Sequence, residues 1–443
     1  MASTGAAAIL GLILLLLPPI TLAGDDLRGF RATLTRIHKL SPGNHSEAVR
    51  RDSHRLSFLS YATAVGKASN SSSSVSIKAL IENGAVSYHM NLSMGTPPVT
   101  FPAMIDTGSD LIWTQCAACT KCFKQPTPLF EPARSSTFSK LPCNSSFCQS
   151  LPTSFRTCNA TGCVYNYRYG VGYTAGYLAT EKLTVGDASF RNVAFGCSTA
   201  NEGTRDNASG LVGLGRTPLS LVSQLGVGRF SYCLRSYKDA GDSPILFGSL
   251  AKLTGANVQS TPLLRHPDMP DSSTWYYVNL TGITVGSTDV PVTSSTFGFT
   301  QTGLGGGTIV DSGTTYTYLA KDGYAMVKQA FLSQMANLKA LNGTRFGLDL
   351  CFLPSGGDVP VAVPSLVLRF AGGAEYVVPR DNYLADLVDS RQGNVVGACL
   401  LVLPAKDGWS ISIIGNRMQM GMHVLYDLDG EKFSFAPADC AKV

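Results

Sequence analysis

Two unrelated short motifs recur in this chain at almost one spacing, and that repeat restricts its architecture more than any other feature. Ile105-Asp106-Thr107-Gly108-Ser109 returns as Val310-Asp311-Ser312-Gly313-Thr314, with the aspartates 205 residues apart. Leu211-Val212-Gly213 returns as Ile413-Ile414-Gly415, at an offset of 202. Matching offsets point to a duplicated lobe of about 200 residues, long enough to bury its own core. The 443 residues therefore read as a covalent pseudo-dimer. A charged fraction of 15% beside 45 glycines is too low for a coiled coil or a disordered tail and suits packed β-structure with many turns. The fold class expected is all-β: two duplicated β-rich lobes, a few short helices and a cleft between the lobes. The clearest helix pattern is at 322–337, where Tyr324, Val327, Phe331 and Met335 recur at helical spacing and read as core packing.

Ahead of the repeats lies a different kind of sequence. Small and apolar residues run from Ala6 to Leu17, stop at Pro18-Pro19 and offer Thr21-Leu22-Ala23 as a cleavage site, so 1–24 reads as a signal peptide. A spanning helix needs about 20 apolar residues, and this run is broken before that length. Residues 25–80 hold nine Lys and Arg against four Asp and Glu, while the remainder of the chain balances its charges. A basic leader on a neutral body argues against nucleic-acid binding, which would put the positive surface on the folded domain. It reads as a propeptide. Leu34, Ile37 and Leu40, then Leu56 and Leu59, suggest a partly helical leader. The serine-rich stretch 69–76 has linker composition, and a cut between 67 and 85 would release the body. The body then divides into an N-terminal lobe, 81–255, with a cysteine-rich insert, and a C-terminal lobe, 256–443.

The 12 cysteines, behind a signal peptide, read as six disulfides. Cys116-x2-Cys119-x2-Cys122 has the tight spacing of zinc ligands, but no histidine lies among these cysteines. Eight N-x-[ST] sequons, at Asn44, Asn70, Asn91, Asn144, Asn159, Asn207, Asn279 and Asn342, agree with a secreted glycoprotein.

The chemistry sits in the repeated motif. D-[ST]-G occurs twice and only twice, each time after an apolar run (103–105 and 308–310) that reads as a buried strand delivering its aspartate to the strand end. Either copy alone could be an Asx-type turn. As a pair related by a pseudo-twofold axis, Asp106 and Asp311 would meet face to face. Amide hydrolysis without a metal or a covalent intermediate needs a base for water and an acid for the carbonyl oxygen and leaving nitrogen. Two adjacent carboxylates cannot both ionise easily, so they share one proton and can do both jobs. Gly108 and Gly313 would allow close backbone approach, Thr107 and Ser312 offer hydroxyls for mutual support, and Ser109 and Thr314 could bond the outer carboxylate oxygens.

Over about 86–437 the chain resembles the pepsin family of aspartic peptidases, specifically the plant nepenthesin-like branch. The branch cues are Asp106-Thr107-Gly108-Ser109-Asp110-Leu111-Ile112-Trp113-Thr114-Gln115-Cys116, the cysteine-rich insert up to Cys163, Arg229-Phe230-Ser231-Tyr232-Cys233-Leu234, and Ile414-Gly415-Asn416 leading to His423-Val424-Leu425-Tyr426-Asp427. The resemblance implies a bilobal pepsin-like fold with the two apolar-apolar-Gly segments threaded under the catalytic loops. It also implies a hairpin flap whose tyrosine is Tyr169, partnered by Trp113. Where the branch usually shows Asp-Gly-Ser after that Tyr-Gly, this chain has Val171-Gly172-Tyr173, a less polar flap tip that bears on substrate preference. The same resemblance implies disulfides 116–119, 122–197, 143–163, 148–158, 233–440 and 351–399.

The reading that follows is a secreted, monomeric aspartic endopeptidase made as a zymogen and working in acid. Its partners would be a peptide substrate and its own propeptide, with no metal, no cofactor, no nucleic acid and no membrane anchor after signal cleavage. Its destination would be the extracellular or cell-wall space, with the vacuole as alternative. The competing class is a non-catalytic inhibitor or binding protein on the same fold, as in plant xylanase inhibitors that lack an intact motif pair; here both motifs are complete. A metal-dependent or serine hydrolase finds no support, since no histidine outside the leader stands in a metal-ligand pair and G-x-S-x-G is absent.

Overall fold

The computed structural model describes residues 29–37, 45–65, 86–169, 172–203, 207–255, 257–267, 273–300, 305–354, 363–388, 395–406 and 411–443. The expected signal peptide, the serine-rich stretch, the sequons at Asn44 and Asn70, and flap-tip residues 170 and 171 lie outside them.

Each half is organised around a strand that ends on its aspartate. Val99–Asp106 runs parallel to Gly210–Gly213, with Asp106 opposite Gly213. Thr308–Asp311 runs parallel to Ser412–Gly415, with Asp311 opposite Gly415. Ile105, Val212, Ile309 and Ile413 are all buried. Continuous apolar runs are what strands covered on both faces require. The repeat seen in the sequence is thus the same parallel register built twice.

The halves are joined through one large mixed sheet. Arg229–Cys233 pairs antiparallel with Met422–Asp427, which pairs in turn with Lys432–Pro437. On its other side Arg229–Cys233 pairs with Ser243–Phe247. A disulfide from Cys233 to Cys440 closes a span of 207 residues at this junction. Two four-stranded sheets flank the second half, and the helix Lys321–Gln334 packs Tyr324, Val327 and Phe331 inward.

The leader is folded onto the body, and its first part is a strand where the sequence suggested helix. Phe30–Ile37 alternates buried Phe30, Ala32 and Leu34 with exposed Arg31, Thr33 and Thr35. It lies between Ser243–Phe247 and Ser87–Met94, antiparallel to both. Period-2 burial and two flanking partners outweigh the weak helical spacing of Leu34 and Ile37. The helix starts later, at Ser46–Val65, and buries Ala48, Asp52 and Leu56 completely.

All 12 cysteines are paired, and four of the six expected pairings are corrected. The bonds are 116–197, 119–122, 143–158, 148–163, 233–440 and 351–399. The strand Trp113–Gln115 runs parallel to Ala188–Glu202 with Thr114 opposite Cys197, which brings buried Cys116 beside buried Cys197. Cys119 and Cys122 are left on an outer loop with Cα atoms 5.9 Å apart. In the insert, buried Cys148 takes buried Cys163, and the more exposed Cys143 and Cys158 take each other. The asparagines of the six described sequons are all exposed.

Candidate active site

Both aspartates stand at the ends of their strands and are fully buried. Each carboxylate is held by its own loop in the same way. Gly108 N–H donates to Asp106 Oδ1 at 2.9 Å and Ser109 Oγ to Asp106 Oδ2 at 2.6 Å. Gly313 N–H donates to Asp311 Oδ1 at 2.9 Å and Thr314 Oγ1 to Asp311 Oδ2 at 2.5 Å. The loops also grip one another. Thr107 N–H donates to Ser312 Oγ at 3.1 Å, and Ser312 N–H to Thr107 Oγ1 at 2.9 Å. A Cβ on Gly108 would come within 2.8 Å of Asp311 Oδ1, and one on Gly313 within 2.5 Å of Asp106 Oδ1, so only glycine lets the two loops close to this distance.

Between the carboxylates sits a residue that sequence reasoning had left unassigned within the basic leader. Arg55, on the leader helix, donates from Nη2 to Asp106 Oδ1 at 2.5 Å and to Asp311 Oδ1 at 2.9 Å. Its Nη1 reaches Asp106 Oδ2 at 3.2 Å and its Nε reaches Asp311 Oδ2 at 2.8 Å. One guanidinium nitrogen touching both Oδ1 atoms places the two acids at a single point. The planar fork of arginine suits such bidentate contact, which a lysine could not reproduce. Burial alone would raise the Asp106 carboxyl, but the Arg55 charge, with bonds from Arg55, Ser109 and Gly108, holds it below the usual carboxylate range. Burial disfavours the Arg55 cation, and the two carboxylates more than reverse that, keeping it charged.

The flap strand Gly162–Tyr169 pairs with Gly172–Val185 and lies against the leader helix. Trp113 Nε1 donates to the Tyr169 hydroxyl at 2.9 Å, with both side chains buried. Tyr167, two residues earlier on the same strand face, packs its ring 5.1 Å from that of Tyr169. Its phenol is pushed up by burial and then by the charges of Asp110 and Asp106. The alternation of Tyr167 and Tyr169 was the sequence signal that could have found it.

Other residues brace the loops. Trp275 Nε1 donates to Gly108 O at 3.1 Å. Asn416 Nδ2 donates to Ser312 O at 2.9 Å and to Val86 O at 3.1 Å. Asp110, buried, accepts from Thr217 N–H at 3.0 Å and Thr274 Oγ1 at 2.6 Å.

This pair of buried, hydrogen-bonded carboxylates has the donors and spacing for shared-proton acid–base chemistry on a small reactant seated where Arg55 now lies. The profile described as Xylanase inhibitor N-terminal matches residues 88–249, and that described as Xylanase inhibitor C-terminal matches 275–437. Aspartic proteinase nepenthesin-1 of Nepenthes gracilis is 44% identical over 355 residues, covering 80% of this chain and 78% of the relative. Nepenthesin-2 of the same plant is 44% identical over 370 residues, covering 83% and 81%. Aspartyl protease 37 of Oryza sativa subsp. japonica is 35% identical over 474 aligned positions, covering 98% and 99%. Among solved structures, edgp superposes with a TM-score of 0.64 at 21% identity, covering 80% of this chain and 92% of its own. Basic 7S globulin from soybean superposes with a TM-score of 0.60 at 21% identity, covering 80% and 93%. At that identity the two structures speak for the pepsin-like bilobal fold alone.

Proposed function

The chain belongs to the plant family of pepsin-like aspartic proteases, and from that premise we propose that it is a secreted zymogen whose mature form hydrolyses peptide bonds in acid with Asp106 and Asp311. The observation that carries this reading is the Arg55 guanidinium bonded to both carboxylates at once. It supports a pair close enough to share one proton, and it supports a leader that fills the reacting position.

In the active form a water takes the place of Arg55. The ionised carboxylate of the pair removes a proton from that water as it attacks the peptide carbonyl. The protonated partner hydrogen-bonds the carbonyl oxygen and stabilises the tetrahedral intermediate, and the proton gained from water then goes to the leaving nitrogen. Gly108 N–H and Gly313 N–H steady the inner oxygens, while Ser109 and Thr314 fix the outer ones. The flap, with Tyr169 tied to Trp113, would close the cleft over the substrate and keep bulk water out.

The leader is the inhibitor in this scheme. Because Asp106 is held below its ordinary value while paired with Arg55, that pairing is present above about pH 3.8 and is lost as pH falls through the depressed value. Cleavage within 67–85 would then free the mature chain. The alternative of a non-catalytic relative takes support from the name of the matching profiles, but both D-[ST]-G motifs here keep every carboxylate-supporting donor. The deciding measurement is cleavage of a denatured protein at low pH by the acid-treated full chain. We expect activity blocked by pepstatin and a loss of about 1000-fold or more for either Asp106→Asn or Asp311→Asn. Activity unaffected by both substitutions would end the proposal.

A further inference from the structure

Arg55 is not the leader's only polar anchor in the cleft. One turn earlier on the same helix face, Asp52 is 1% exposed, and every donor that meets it in these contacts belongs to the body. Its Oδ1 accepts from Thr315 N–H at 2.9 Å, and its Oδ2 from Tyr316 N–H at 2.8 Å and from the Tyr318 hydroxyl at 3.3 Å. These donors begin at the residue after Thr314, which itself bonds Asp311. They therefore adjoin the reacting pair.

A second observation concerns the residue next to this cradle. Arg417 N–H donates to Thr315 O at 3.0 Å, which fixes it beside the same turn. Its side chain is 4% exposed, and Nε and Nη2 both donate to Asp381 O, at 3.1 and 2.8 Å. Its Nη1 is buried without a hydrogen-bond partner. Its guanidinium lies over the Tyr237 ring, 3.8 Å from the centroid, and its charge bears on Tyr316 and on the leader's His45. Three converging donors, all supplied by the body, describe a receptor for the oxygen pair of a carboxyl group.

Resting on the endopeptidase reading above, we infer that Thr315 N–H, Tyr316 N–H and the Tyr318 hydroxyl form a substrate subsite that takes the carboxyl side chain of an Asp or Glu residue, with Asp52 occupying it until the leader departs. A site built of donors discriminates against side chains that bring no acceptor, because its own N–H groups would be left unpaired. Apolar and basic side chains both fail there. Binding energy from this remote contact would help hold the scissile bond over the acids.

The test uses the acid-activated full chain at about pH 5. Otherwise identical peptides carry Asp, Asn or Ala in turn at each position flanking the scissile bond, and kcat/KM is measured for each. We expect one position at which Asp is preferred to Ala by about tenfold, with Asn between them. Tyr318→Phe should lower that preference by about threefold. A Tyr318 of merely structural importance would slow all peptides alike and leave the ratio untouched, which overturns its assignment. Cleavage with no acidic preference at any position sinks the subsite and leaves the peptidase standing. If no peptide is cut at all, the peptidase reading fails, and the cradle is judged by fluorescence anisotropy of a labelled peptide of leader residues 46–56. Affinity weakened at least fivefold by Asp52→Ala in that peptide upholds the carboxyl site; equal affinity rejects it.

Discussion

The two aspartate loops begin alike and end differently. Up to the third residue beyond each acid the contacts match donor for donor: a glycine N–H on one carboxylate oxygen, a hydroxyl on the other, and a reciprocal bond across the pseudo-twofold axis. At the fourth residue they part. In the first half that residue is Asp110, whose carboxylate is satisfied by Thr217 and Thr274 of the body. In the second half it is Thr315, whose N–H is satisfied by Asp52 of the leader. At the equivalents seven residues past each acid, Trp113 donates to the flap's Tyr169, and Tyr318 donates to Asp52. The first loop is thus closed by the body's own side chains and the second by a side chain of the leader helix Ser46–Val65. A duplicated frame can thus keep its carboxylate contacts identical while the surroundings of its two copies differ.

The largest expected effect tests the point where both loops meet the leader. Arg55→Ala leaves two buried carboxylates facing each other without a counter-charge, a loss on the order of 3–5 kcal/mol to leader docking. Full-length Arg55→Ala should process itself at about pH 5, where the Arg55 pairing still holds the unaltered leader, read as cleavage of its own chain; a variant that stays as intact there as the unaltered chain would show that Arg55 is not the lock. A paired experiment addresses the difference at the fourth residue. Asp110→Ala strands Thr217 N–H and the Thr274 hydroxyl, and should cost about 2 kcal/mol in thermal unfolding both before and after leader removal. Asp52→Ala should destabilise the full chain by a similar amount and leave the processed body's Tm unchanged. If both variants lower the Tm of the processed form, the contrast between the loops is void.

The smallest effect concerns pH. Burial, with a further contribution from Arg417, lowers the leader's His45 from 6.5 to about 4, so the docked form keeps it neutral. A released His45 takes up a proton below 6.5, and docking weakens as pH falls from there to about 4. Asp52 has the opposite sign. Burial raises it from 3.8 to about 6 against the bonds from Thr315 and Tyr316, so the docked leader gains as pH falls through that range. These two act in opposite directions, and on the proposed scheme release follows when Asp106, held below its ordinary value by Arg55, takes up a proton. Replacing His45 with Gln, which can still bond the Tyr316 hydroxyl, removes only the weakening contribution. The midpoint of processing should move down by about half a pH unit, measured by the fraction cleaved after brief exposures across pH; an upward move would reverse the assignment.

What was legible from the sequence divides along physical lines. The repeat announced the two parallel strand pairs because buried strands need continuous apolar runs, and the aspartates at their ends came with them. The supporting hydroxyls and glycines were readable because they lie within three residues of each acid. Arg55 and Asp52 were hidden among nine leader cations and four leader acids, since their partners are more than 50 and 260 residues away and no local pattern marks them. Leu34 was misassigned to a helix because its strand partners, Ser243 and Met90, are distant in the chain. The disulfide network depended on which cysteines the strand Trp113–Gln115 and the insert hairpin turn inward, which spacing does not encode.

The crossed pair of bonds between Thr107 and Ser312 has a mechanical consequence. Both bonds act at one spot on the cleft floor and fix a separation there without fixing an angle. With the pairing of Arg229–Cys233 to Met422–Asp427 and the Cys233–Cys440 disulfide they tie the two halves together, so the spacing of the acids does not rest on the leader alone.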